Sequence, residues 1–269
     1  MKKILPSLFI FIFLTGCVSQ QIIPPASTVR GLKKVHVLAL EPPPLEIPQQ
    51  IVLQSAQIAM LPKPTIGAAR SVGVVSSILI IIETTSLVNA PASSETIDKS
   101  KKIESLIRGN EIWIPTRVLA DEATNQIAAT GRSVVCVPGV QLIPRVTIRD
   151  YTLFNENWLR PIRDWYNSDT SSFNYASLGA DKSDAVLEVA LVNYSVALEN
   201  RLLVQVMVKL VDPLTGKTMG RARDWDNPEI ENLDEVLSDN GKKLKQVFAH
   251  TGSRLINKCL YDLGIIEKK

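Results

Sequence analysis

Alternation of apolar and polar positions is clearest in the last third of the chain. Residues 185–196 (AVLEVALVNYSV) and 202–211 (LLVQVMVKLV) carry strand patterns separated by a short polar turn around Glu199 and Asn200. Asp212-Pro213-Leu214-Thr215-Gly216 then turns the chain into a third strand at 217–223, so the three form an antiparallel meander. Residues 33–41 (KKVHVLALE) are apolar on both alternating faces apart from His36, the pattern of a strand inside a covered sheet, and Pro42, Pro43, Pro44 and Pro48 stop it. Helical spacing takes over at 115–130. There Pro115 suits the first helical position, Val118, Leu119, Ala123 and Ile127 recur on one face, and Gly131 stands ready to end the helix. An apolar strand at 134–137 follows directly. A further helix is expected within 155–165, with Trp158, Ile162 and Trp165 on one face and Pro161 bending it or delaying its start. Asp, Ser, Asn and Gly dominate 167–183, which predicts an exposed loop. The closing helix, from about 240 to 263, buries Leu244, Val247, Phe248, Leu255 and Leu260 and carries Gly252 inside it at a modest cost.

Strand, long insertion, helix, strand, helix, meander, helix is the order of an α/β (α+β) fold: one mixed sheet with a C-terminal antiparallel meander and helices packed on it. The insertion, at about 42–110, contains the most apolar stretch of the chain beyond its first residues. Between Ile66 and Ala90 only Arg70 and Glu83 are charged. That stretch is too short and interrupted to span a bilayer, and it suits core, membrane contact or a subunit interface.

The chain opens with Lys2 and Lys3, an apolar run at 4–14, and Leu14-Thr15-Gly16-Cys17. A charged start, a short apolar core and small residues before the cut are the anatomy of an export signal. The last four residues resemble the lipobox of bacterial lipoprotein precursors. That resemblance implies a signal at 1–16 that is removed, and a Cys17 that becomes the N-terminus bearing a diacylglycerol thioether and an amide-linked acyl chain. Several chains make such an attachment effectively permanent, since each buried methylene contributes about 0.8 kcal/mol. Val18-Ser19 rather than Asp after the cysteine points to the outer membrane, with the inner membrane as the lesser alternative. Residues 17–32, with Pro24 and Pro25, suit a polar tether, and 33–269 form a single domain.

Composition removes several function classes. With 45% hydrophobic and 21% charged residues the chain is globular rather than a disordered stalk. A net charge of +3, with both signs interspersed, lacks the basic stripe a nucleic-acid backbone requires. Cys136 and Cys259 are left after lipidation; they suit either a disulfide in an oxidising compartment or two buried apolar fillers. His36 and His250 have no Cys or His at metal-ligand spacing, so no metal is expected. No G-x-S-x-G elbow is present. Gly216-Lys217-Thr218 lacks the upstream glycine of a phosphate loop, where Val211 stands, and opens a strand. Asp150, Glu156, Asp164 and Asp169 could supply a hydrolytic carboxylate pair, but their spacing is that of surface acids.

Residues 183–189 (SDAVLEV), followed by a strand ending Leu210-Val211-Asp212-Pro213-Leu214-Thr215-Gly216-Lys217, resemble bacterial envelope lipoproteins whose domain is similar to the N-terminal domain of TolB. The resemblance covers about 33–263 and departs from the group in the 42–110 insertion. It implies a non-enzymatic accessory lipoprotein that docks onto an envelope assembly, with no cofactor beyond the lipid on Cys17. The membrane and other envelope proteins are its partners, and homo-oligomerisation stays open. An oligomeric secretion or pore-forming lipoprotein using 66–90, and an envelope hydrolase, are the competing classes. Trp158, Arg160, Arg163, Trp165 and Tyr166 are the candidate docking surface, because aromatic and Arg side chains dominate interface energetics.

Overall fold

Strand patterning becomes one five-stranded mixed sheet in the order β2-β1-β3-β4-β5. The strands are β1 (Lys34–Ala39), β2 (Ser133–Cys136), β3 (Ala185–Ala197), β4 (Arg201–Val211) and β5 (Thr218–Asp226). The computed structural model describes residues 21–43, 113–143, 159–197, 201–230 and 233–267. The apolar stretch at 66–90 and Cys17 therefore lie outside the described residues. Central β1 runs parallel to both neighbours, with Val37 opposite Cys136 on one side and Leu187 on the other. The remaining strands form the expected meander, antiparallel throughout, with irregularities between Leu191 and Asn193 in β3 and between Leu210 and Val211 in β4.

Four helices accompany the sheet among the described residues: α1 (Ala26–Gly31), α2 (Pro115–Ala128), α3 (Arg160–Asn167) and α4 (Leu233–Asp262). Because side chains alternate along a strand, each strand feeds two layers. One layer joins Val35, Val37, Leu187, Val189, Val206, Val208 and Leu210 to Leu119, Ala123 and Ile127 of α2 and Phe248, Ile256 and Leu260 of α4. The other sets Leu40, Ala190 and Met207 against Ile162, Trp165 and Tyr166 of α3, and Leu38, Val186 and Val211 against Tyr175 and Ala180 of the following loop. Each such aliphatic side chain contributes about 1.5–3 kcal/mol on full burial, which outweighs the modest propensities of these segments.

Local signals explain the helix ends. Pro115 opens α2, and Gly131, at φ 82°, closes the turn that follows it. Pro161 sits near the start of the described part of α3, following a helical Leu159; the expected start near 155 lies outside the described residues. Gly252 has a reason beyond tolerance. A Cβ there would stand 2.4 Å from Leu119 Cδ2, so its absence lets α2 and α4 cross closely.

The segment expected as a tether at 17–32 is, from Ile22 onward, part of the domain. Ile22 exchanges backbone hydrogen bonds with Arg221 on the outer side of β5, at 3.0 and 2.9 Å, and Val29 and Leu32 are buried. Arg132 joins this end to the other end of the chain. Its guanidinium donates to the carbonyls of Leu32 (3.1 Å), Val29 (3.4 Å) and Ile265 (2.7 Å) and to Thr130 Oγ1 (2.7 Å). A cation placed among helix C-terminal carbonyls satisfies groups the helices cannot bond themselves.

Candidate functional site: a closed charge cluster beneath α3

Two charges interrupt the apolar layer under α3. Glu188 of β3 lies directly opposite Lys209 of β4, and both side chains are fully buried. Removing an unpaired ion from water costs several kcal/mol even after relaxation, so such a pair persists only when its remaining donors and acceptors are also engaged. They are. Trp165 Nε1 donates to Glu188 Oε2 at 2.7 Å, while Ser171 Oγ and Tyr175 OH donate to Oε1 at 2.5 and 2.6 Å. Lys209 Nζ donates to the carbonyls of Trp165 (2.9 Å) and Thr170 (3.2 Å), and stands 5.6 Å from the Trp165 ring centroid. Burial holds the Lys209 ammonium below its ordinary pKa, opposed by the charge of Glu188. Burial, and then the adjacent Glu188 carboxylate, push the Tyr175 hydroxyl far above its ordinary range.

The loop that delivers Ser171 and Tyr175 is itself fixed to the sheet. Ser171 N–H donates to Gly216 O at 2.7 Å, Thr218 N–H to Asp169 O at 2.8 Å, and Ala180 N–H to Tyr175 O at 2.9 Å. Helix, loop and hairpin thus meet at one carboxylate and one ammonium. A group enclosed in this way has no face left for a substrate, and its chemistry is to hold α3 and the loop on the sheet.

Several expected site residues fall elsewhere. Trp165 and Tyr166 are buried, which corrects their place in the proposed docking surface: the α3 stripe that carries them turns into the sheet. Tyr166 OH has no hydrogen-bond partner among the described residues, burial pushes its pKa up to about 12, and Arg221 lies over its ring with the guanidinium carbon 5.7 Å from the centroid. Arg160 and Arg163 are exposed, and Trp158 lies outside the described residues. No bridge joins Cys136 to Cys259, and both thiols are free. Cys136 stands on β2 beside Thr124 and Asp121, and Cys259 on α4 beside Asp224 of β5. Those strands are opposite edges of the sheet, about 19 Å apart at ~4.8 Å per strand, whereas a disulfide reaches about 7 Å between Cα atoms. Burial raises both thiol pKa values and leaves them poorly nucleophilic.

His36 is buried on β1 with Nδ1 unpartnered among the described residues and its pKa lowered, chiefly by burial and then by Lys34, whereas His250 is exposed. Among the described residues no group of three or more His, Cys, Asp or Glu could hold a metal ion. Asp164 and Asp169 are exposed, and Asp150 and Glu156 lie outside the described residues. Gly216, at φ 68°, closes the β4–β5 turn, so Gly216-Lys217-Thr218 belongs to a hairpin as expected. The Glu188 cluster was not anticipated. Its signal is an acid within one apolar strand and a lysine within the next, which the hairpin brings opposite each other only through the register shift between Leu191 and Asn193.

No protein-family model matches the chain, and no curated protein matches it. Solved structures similar to it include a PelC dodecamer from Paraburkholderia phytofirmans, at 12% identity and TM-score 0.38, covering 91% of this chain and 94% of that one. A hypothetical protein, CT253, from Chlamydia trachomatis is similar at 10% identity and TM-score 0.33, over 58% of this chain and 87% of that one. Lipoprotein GNA1162 from Neisseria meningitidis is similar at 13% identity and TM-score 0.26, over 81% and 96%. At such identities, side-chain chemistry has to be read from this chain's own residues.

Proposed function

We infer that this chain is a non-enzymatic accessory protein of a bacterial envelope, anchored to the outer membrane through acyl chains on Cys17 and acting through its surface. The observation that carries this reading is Leu14-Thr15-Gly16-Cys17 at the end of a charged and then apolar start. The closed Glu188–Lys209 cluster supports it from another direction, because the charges inside the domain are committed to holding its parts together. Arg160 and Arg163 remain the exposed members of the docking set on α3. Expressed in a bacterial host, Cys17→Ser should accumulate as an unprocessed precursor that takes up no labelled palmitate, while the parent protein is processed and labelled. Normal acylation of the variant would overturn the reading.

A further inference from the structure

The chain behind Cys17 is short and soon fastened. Besides the two backbone bonds between Ile22 and Arg221, Gln21 Nε2 donates to Arg223 O at 3.2 Å. Pro24 is buried where β5 meets the end of α4. A Cβ added to Gly220 would come within 2.8 Å of Pro24 Cδ, 2.9 Å of Leu263 Cδ2 and 3.1 Å of Ile22 O. Glycine at 220 is what allows three segments to converge at this edge.

Five residue steps separate Cys17 from Ile22, a reach of at most about 17 Å at ~3.4 Å per residue. From β5 to β2 the sheet is wider than that, about 19 Å over four strand spacings. Resting on the reading of Cys17 as acylated, we propose that the β5 edge of the domain, with the β4–β5 turn, is its phospholipid-apposed surface and that the β2 edge points toward the aqueous side. Apolar side chains are exposed on both sides of the sheet, Val135 and Leu142 on the β2 side, so the tether length is what selects the β5 side. Ile23, next to the fastened residue, is 71% exposed, and Leu214, on the turn leading into β5, is 83% exposed. Both are apolar groups that a bilayer interface accepts and water does not reward. Lys217, exposed on the same turn as Leu214, can meet lipid phosphates.

The test uses the full, acylated protein with Cys136→Ser, so that the buried Cys259 is the remaining native thiol. Leu214→Cys or, in a second variant, Leu142→Cys is labelled with a fluorophore. Leu142 is exposed just after Gln141, which bridges to β1 on its β2 side. Each labelled protein is placed in phosphatidylethanolamine and phosphatidylglycerol vesicles containing doxyl-labelled lipid. Quenching should be several-fold stronger at Leu214 than at Leu142. A flexible Gly/Ser insert of about twenty residues between Gln20 and Gln21, which adds ~25 Å of random-coil reach, should erase the difference. Equal or reversed quenching in the parent protein, or a difference that survives the insert, overturns the assignment. Palmitate incorporation and flotation with vesicles are read in the same samples. If both are present while the quenching pattern is wrong, the orientation alone fails; if both are missing, the anchor fails and takes the orientation with it.

Discussion

Glu188 and Lys209 show how position changes the meaning of a residue. Each occupies an otherwise apolar run, and each is held by hydrogen bonds from α3 and the loop as well as by the opposite charge across the strands. Lys209→Met should therefore destabilise the fold by about 1–3 kcal/mol, because it leaves the Trp165 and Thr170 carbonyls without their donor and removes the positive charge facing Glu188. The double variant Glu188→Leu/Lys209→Met additionally orphans the donors of Trp165, Ser171 and Tyr175, so it should lose more than Lys209→Met alone but less than the two single losses summed, which a double-mutant cycle by urea unfolding would measure. A single-variant loss as large as that of an exposed ion pair, about 0–1 kcal/mol, would show that the pair is hydrated. This cluster was only half legible in sequence. The two charges stood out, but Ser171 and Tyr175 lie in a stretch of small polar residues that looks like solvent-exposed loop. Nothing local marks them as carboxylate ligands, since the partner is a strand residue reached only after folding.

Elements were easier to read than their contacts. The meander, β1 and α2 lie where apolar periodicity placed them, because burial of one face decides both the pattern and the packing. The departures are at the ends. β5 continues to Asp226, past the expected stop at 223, because Asp224 and Asp226 point toward α4, where Asp226 pairs with Arg254. A strand that alternates acid with Arg and Trp has little apolar signature, and backbone pairing with β4 extends it. α4 begins at Leu233 rather than near 240, and Asp239, Asn240 and Gly241 lie within it at positive φ, where left-handed backbone breaks the helical pattern that sequence spacing would follow. Helix crossing was the least visible of all. Gly252→Val should destabilise the protein by about 1–3 kcal/mol, seen as a lower melting temperature, because the added side chain meets Leu119. The second substitution Leu119→Ala should not add its full single-variant cost, since it vacates the same space. Full additivity would mean that the two helices do not meet there.

For the whole molecule, dependence on pH sums over scattered groups. His36 is held neutral by burial, its folded pKa lying below the ordinary 6.5. The unfolded chain therefore takes up a proton first, and stability present above 6.5 is lost as pH falls from there toward the folded value. Asp184 accepts backbone N–H bonds from Lys33 and Lys34, and Asp212 a hydroxyl bond from Thr215; both have pKa values lowered from 3.8. Their contribution is present above 3.8 and is lost only in stronger acid. Asp224, raised by burial, acts in the opposite sense near its own pKa. The melting temperature should fall between pH 7 and 5 in the parent protein, and His36→Leu should flatten that first fall while leaving the decline below pH 4. A variant whose profile tracks the parent throughout would remove His36 from the account. Mixed-sheet architecture was legible at this scale, whereas the fastening of the N-terminal segment was not. Gln-Ile-Ile-Pro-Pro resembles a spacer, and only the bare backbone of Gly220, most of the chain away, makes room for it.

Arg132 ties the end of α1 to the end of α4, while Ile22 is bonded to β5. In mechanical terms the molecule is loaded where it is doubly sewn. Tension entering through the N-terminus meets the bonds between Ile22 and Arg221 first, and behind them Arg132 still holds Val29 and Leu32 to Ile265.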